Sequence, residues 1–100
     1  MSEIHEFTGQ PLRISPTAAR AVRLQFNPSS SDTVNRIKRL TAALVTELEA
    51  VQAQAHGGLA VVNTDEAGDK LLDAMDTAYK AIDHVVTASM WSVLAATATL

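Results

Sequence analysis

The last charged side chain in this chain is Asp83. From residue 84 to residue 100 the sequence reads HVVTASMWSVLAATATL, and as a helix this stretch has no face polar enough to stand alone in water. A chain of 100 residues has little material of its own with which to cover it. The expected solution is burial against further copies of the same chain, with function residing in the sites that such assembly creates.

Upstream of that segment the pattern is helical. Val34, Ile37, Thr41, Leu44, Leu48, Val51 and Ala55 recur at alternating spacings of three and four, a heptad-type seam. Ser31 and Asp32 are both good caps for its start. Gly57-Gly58 predicts its end, through left-handed backbone conformations. Asn63, with Asp65 and Glu66 behind it, predicts the cap of a second helix running to about Thr97. Its seam is Leu72, Met75, Tyr79, Ile82, Val86, Ser89, Val93 and Ala96. One step back runs a second line, mostly of small residues: Leu71, Ala74, Ala78, Ala81, Val85, Ala88, Ser92 and Ala95. Small residues admit a second helix closely, and two apolar lines on one helix imply two neighbours. Residues 1–30, punctuated by Gly9, Pro11, Pro16 and Pro28, read as a mobile leader and a short arm. Ser15-Pro16 suits a helical turn through Ala21, whereas the alternation of Val22, Leu24 and Phe26 suits an extended stretch. The fold expected is all-α: a long two-helix hairpin (31–100) with an N-terminal arm (1–30), assembled into a compact homo-oligomer.

Charge is split along the chain. Residues 13–39 hold six basic side chains against Asp32 alone, a local charge of +5. Residues 47–83 hold eight acids against Lys70 and Lys80, a local charge of −6. A basic segment in an acidic protein suits a small anionic partner better than a long nucleic acid, which the acidic remainder repels. The absence of cysteine rules out disulfides and thiolate metal sites. The start MSEIHEF lacks a signal pattern, so the expectation is a cytoplasmic protein. The uncharged tail falls short of the roughly 20 mainly apolar residues of a membrane span. His5, His56 and His84 lack partners patterned for a nucleophile or a metal, and no glycine-rich phosphate loop is present. Neither an enzyme nor a cofactor or metal is expected.

The strings FNPSSSDTVNRIKRLTAALVTELE (26–49) and TASMWSVLAATA (87–98) resemble the anti-CBASS cyclic-oligonucleotide sponges of bacteriophages, whose helical hairpin is shared with anti-Thoeris sponges. The pieces that carry the resemblance are the FNPS turn, Ile37-Lys38 and Met90-Trp91. It implies an all-helical homo-oligomer, often a hexamer, acting in the host cytoplasm. Such proteins bind cyclic di- and trinucleotide immune signals and sequester them without cleavage, starving the host's defence effector. Pockets would lie between protomers, a ring stacking on a base and basic side chains holding phosphates. Two positions depart from the family pattern: Asp83, where Thr is common, and Leu94, where Lys is common. A carboxylate at the first opposes a phosphate, and Leu at the second removes a cation.

A cyclic dinucleotide offers phosphates and flat bases, so its site needs cations, rings and short polar side chains. Helix phase puts Lys38 at the margin of the first seam, whereas Arg36 and Arg39 point away. The expected ligand residues are therefore Lys38, Phe26, Asn27, Ser29, Ser30, Thr41 and, from a neighbouring protomer, Arg23. The expected oligomer interface is Val85, Ala88, Ser89, Met90, Trp91 and Val93. The alternative function is a structural helical module that binds a protein partner through its apolar end.

Overall fold

The computed structural model describes residues 11–100. The leader expected at the start of the chain, with His5, lies largely outside the described residues. Three helices follow in order: α1 (Pro16–Ala21), α2 (Asp32–Leu59) and α3 (Asp65–Thr97). The described residues contain no strand and are all-helical in architecture, and the two long helices pack as a hairpin. None of the described helices is long and apolar enough to cross a membrane.

The helix starts follow from side-chain caps. Ser15 caps α1, its hydroxyl accepting from the Ala18 amide at 3.0 Å, with Pro16 in the first turn. Ser31 caps α2. The cap of α3 is Thr64 and not Asn63: its hydroxyl accepts from the Ala67 amide at 3.1 Å, and Asp65 and Glu66 then fall in the first turn. Gly57-Gly58 does not stop α2 at once: the helix ends at Leu59, and the Ala60 and Val61 amides close it by donating to the Gly57 and Gly58 carbonyls. Neither glycine takes a left-handed conformation. The reason for Gly58 is proximity: a methyl group there would stand 3.1 Å from Leu71 Cδ1, so glycine lets α3 begin close to the end of α2.

The contact between the long helices differs from the expected seam. On α2 the buried positions are Val34, Lys38, Ala42, Ala43, Val45 and Ala55, whereas Leu44 and Val51 are exposed. On α3 the stripe turned toward α2 passes between the two expected lines and buries Ala78 and Ser89, leaving Leu72 and Tyr79 exposed. Small and polar residues thus fill the hairpin seam. Thr41 and Ser89 sit inside it with their hydroxyls 3.2 Å apart, and the Thr41 hydroxyl also bonds the Ile37 carbonyl at 2.9 Å. That satisfaction is what makes the buried Ser89 hydroxyl and the half-buried Thr41 hydroxyl tolerable.

The arm completes the core. Ala18 and Val22 pack with Ala42 and Val45, and Ile14, Leu24, Ile82, Val85 and Val86 close around them. Polar ties hold it there: the Ser15 amide donates to the Thr46 hydroxyl at 2.9 Å, the Ser15 hydroxyl to Glu49 at 2.5 Å, and Arg13 to Glu47 at 2.9 Å. The core remains thin. Only Val34 and Val45 are large side chains that are fully buried, while eleven large apolar residues among those described are exposed.

Candidate functional site: the cleft between arm turn and helix end

After Ala21 the chain does not extend. The Leu24 amide bonds the Ala19 carbonyl at 2.9 Å and the Phe26 amide bonds the Arg23 carbonyl at 2.9 Å, so residues 22–26 form consecutive turns. This overturns the extended alternative. It also sets Arg23 against Phe26 of its own chain, whereas the sequence suggests Arg23 as a contribution from a neighbouring protomer. Arg23 adopts φ 55°, a left-handed conformation that costs a non-glycine residue about 1–2 kcal/mol. The turn brings its guanidinium 4.5 Å from the centroid of the Phe26 ring.

Lys38 holds this turn from below. It is 6% exposed, and its Nζ donates to the Arg23 carbonyl at 2.9 Å and to the Phe26 carbonyl. The same ammonium is 5.6 Å from the Phe26 ring centroid. Two backbone oxygens thereby replace part of the water that burial removes. Burial nonetheless lowers the Lys38 pKa from the ordinary lysine value, and the nearby Arg23 guanidinium lowers it further. An ammonium has three donors, so one N–H is left over.

Two cavities open on either side of Phe26. One, of about 250 Å³, is lined by Ala21, Val22, Arg23, Phe26, Lys38, Ser89, Met90, Val93 and Leu94. The other, of about 320 Å³, is lined by Phe26, Asn27, Pro28, Ser29, Val34, Lys38, Val93 and Thr97. Phe26, Lys38 and Val93 are walls of both. The C-terminal end of α3 therefore forms one bank of the cleft and the arm turn the other.

The expected ligand residues divide in two. Phe26, Lys38, Arg23, Asn27 and Ser29 come together here. Thr41 lines neither cavity, being engaged with Ser89 in the hairpin seam, and Ser30 lines neither, sitting exposed at φ 57°. Asn27 and Ser29 are largely committed to the turn. The Asn27 amide donates to the Ser31 carbonyl at 3.0 Å and to Asn35 Oδ1 at 2.9 Å, while Ser29 donates to Asn27 Oδ1 at 2.6 Å. Of the expected interface residues, Met90 and Trp91 are exposed at 60% and 69%. Ala88 is also exposed, Val85 and Val93 are half-buried, and Ser89 is buried against α2 within its own protomer. Leu94 and Thr97 were missed as cleft walls. Their signal was helical spacing, since both lie within a turn of Val93. Among the described residues no group of three or more His, Asp or Glu side chains is placed to hold a metal ion. Compared with family models, curated proteins and solved structures, the chain gave no match.

Proposed function

We propose that this chain is a homo-oligomeric binding protein that takes up a cyclic di- or trinucleotide signal in the cleft around Phe26 and sequesters it unchanged. The observation that carries the reading is the Arg23 guanidinium over the Phe26 ring, with the Lys38 ammonium beneath, at the junction of two cavities. A ring and a guanidinium plane suit base stacking, and the paired cations suit a phosphate. The sequence resemblance to phage sponges points to the same ligand class. Met90 and Leu94, exposed walls of the cleft, and the exposed Trp91 beside Met90 in sequence are where a neighbouring protomer would close it.

A thermal-shift panel of cyclic di- and trinucleotides tests the ligand, since a molecule that binds only the folded state must raise Tm. The expected result is a shift for at least one member, with intact ligand recovered on denaturation. Cleaved product would refute sequestration. Phe26→Ala should weaken uptake by about tenfold or more, in line with ~1–3 kcal/mol per stacked base. Trp91→Asp should lower the mass seen in light scattering.

A second reading, a helical module binding a protein partner, draws on a different observation. Tyr79, Met90, Trp91 and Leu94 are exposed, while Asn27, Ser29 and Lys38 already spend hydrogen bonds inside the protomer. In that case no nucleotide moves Tm.

A further inference from the structure

The hairpin has two broad faces, and the arm covers one. Thr46 and Glu49, which tie the arm down, lie about 140° and 200° around α2 from Val51, at ~100° per residue, while Glu47, which Arg13 holds, lies about 40° from it, at the edge between the faces. On the opposite face Ile37, Leu44 and Val51 recur every seven residues, the last two 49% and 42% exposed. Beside them on α3, Ala74, Ala81 and Ala88 recur at the same interval. Val51, Ala74 and Ala81 share a groove of about 430 Å³ between the helices, with Lys70 and Asp73 at one end. A ridge of large side chains therefore runs alongside a trough of small ones, and charge is confined to the rim. Depletion of charge at the centre is what an interface core shows.

We propose that the occupant of this face is a second copy of the chain, with α2 of each copy lying over α3 of the other in a four-helix bundle. A two-fold axis running along the helices between the stacked copies sets each ridge over the partner's trough. The described chain measures 55 × 28 × 19 Å, so the broad side of the hairpin has room for the ~800 Å² per partner of a standard interface. Rotation about such an axis leaves height along the hairpin unchanged. Thr41 is level with Ser89, so Leu44 is level with Val86, and Ala88 is the nearest residue of the small stripe. Leu44 of one copy therefore falls over Ala88 of the other. This face is separate from the Phe26 cleft, so association here and nucleotide binding can fail independently.

The chain has no cysteine, which makes crosslinking unambiguous. Leu44→Cys and Ala88→Cys proteins, refolded together without nucleotide and oxidised in air, should yield a disulfide-linked band of twice the chain mass. Leu44→Cys alone should yield none. Crosslinking of Leu44→Cys to itself would mean α2 over α2, and would overturn the arrangement, as would a mixed sample that stays uncrosslinked. In sedimentation of the full chain, Leu44→Glu should lose the association carried by this face while keeping its helical circular dichroism. A wild-type chain at monomer mass overturns the proposal outright.

Discussion

The two faces of the hairpin solve the same problem by opposite means. On the covered face the chain supplies its own lid, and the ties are polar: Ser15 to Thr46 and Glu49, Arg13 to Glu47, Lys38 to the arm-turn carbonyls. Beyond Glu47 at its edge, the bare face shows no such ties among the described residues, only a ridge of large side chains beside a stripe of small ones. Polar ties work where the partner is always present, because each group is satisfied as the chain folds. A size pattern suits a partner that must be found, because its failure leaves exposed apolar surface and no buried charge without a counterpart.

The largest effect should come from breaking the covered face at its one buried charge. Lys38→Met keeps the stem and removes the ammonium, leaving the Arg23 and Phe26 carbonyls without their donor. The cost should be about 2 kcal/mol, read as a lower urea midpoint. An unchanged midpoint would show that water serves those carbonyls equally well. The same residue predicts a pH dependence. Its folded-state pKa is lowered, so just below the ordinary lysine value of 10.5 the unfolded chain binds more protons. Stability from this group therefore rises with pH through that window and is lost as pH falls below the lowered pKa. The wild-type midpoint minus that of Lys38→Met should grow toward alkaline pH. A flat or falling difference would contradict the assignment.

A smaller effect sits at the other end of the arm. Ser15→Ala removes both the α1 cap and the bond to Glu49, and should cost about 1 kcal/mol. Because it loosens only the covered face, the mass of any assembly through Leu44 should not change. A change there would mean the faces are coupled. The smallest effect lies on neither face. Gly57 is helical, and an added methyl group meets nothing within 4 Å. Gly57→Ala should raise stability by roughly 0.5–1 kcal/mol, whereas a loss would revive the left-handed helix stop.

How much of this could be read from residues alone depended on whether the signal was local. Ser15, Ser31 and the extent of α3 to Thr97 were legible, because a cap is written in the few residues that form it. Thr64 was passed over for Asn63, since both are good caps and only the backbone decides between them. The seam was misjudged for a physical reason. Ile37, Leu44 and Val51 form the cleanest heptad line, but the hairpin spends its inner surface on Ala42, Val45, Thr41 and Ser89 and leaves the leucine line outside. Periodicity reports that a face is apolar and does not say which neighbour it meets. For the cleft, Phe26 and Lys38 were legible as residue types, but the folded-back turn was not. An arginine at φ 55° carries no sequence signal, because Gly and Asn are the usual occupants of that region.

The Lys38 anchor spends its hydrogen bonds on main-chain oxygens, and its contact with the Phe26 ring is a face contact at 5.6 Å and not a hydrogen bond. Loop path and loop chemistry are thereby decoupled. Gln25 and Phe26 can be exchanged for other residues while the carbonyls that Lys38 needs remain present in every variant. A library randomised at those positions should yield members of one shape and many affinities, a scaffold on which recognition can be retuned without refolding the protein around each new choice.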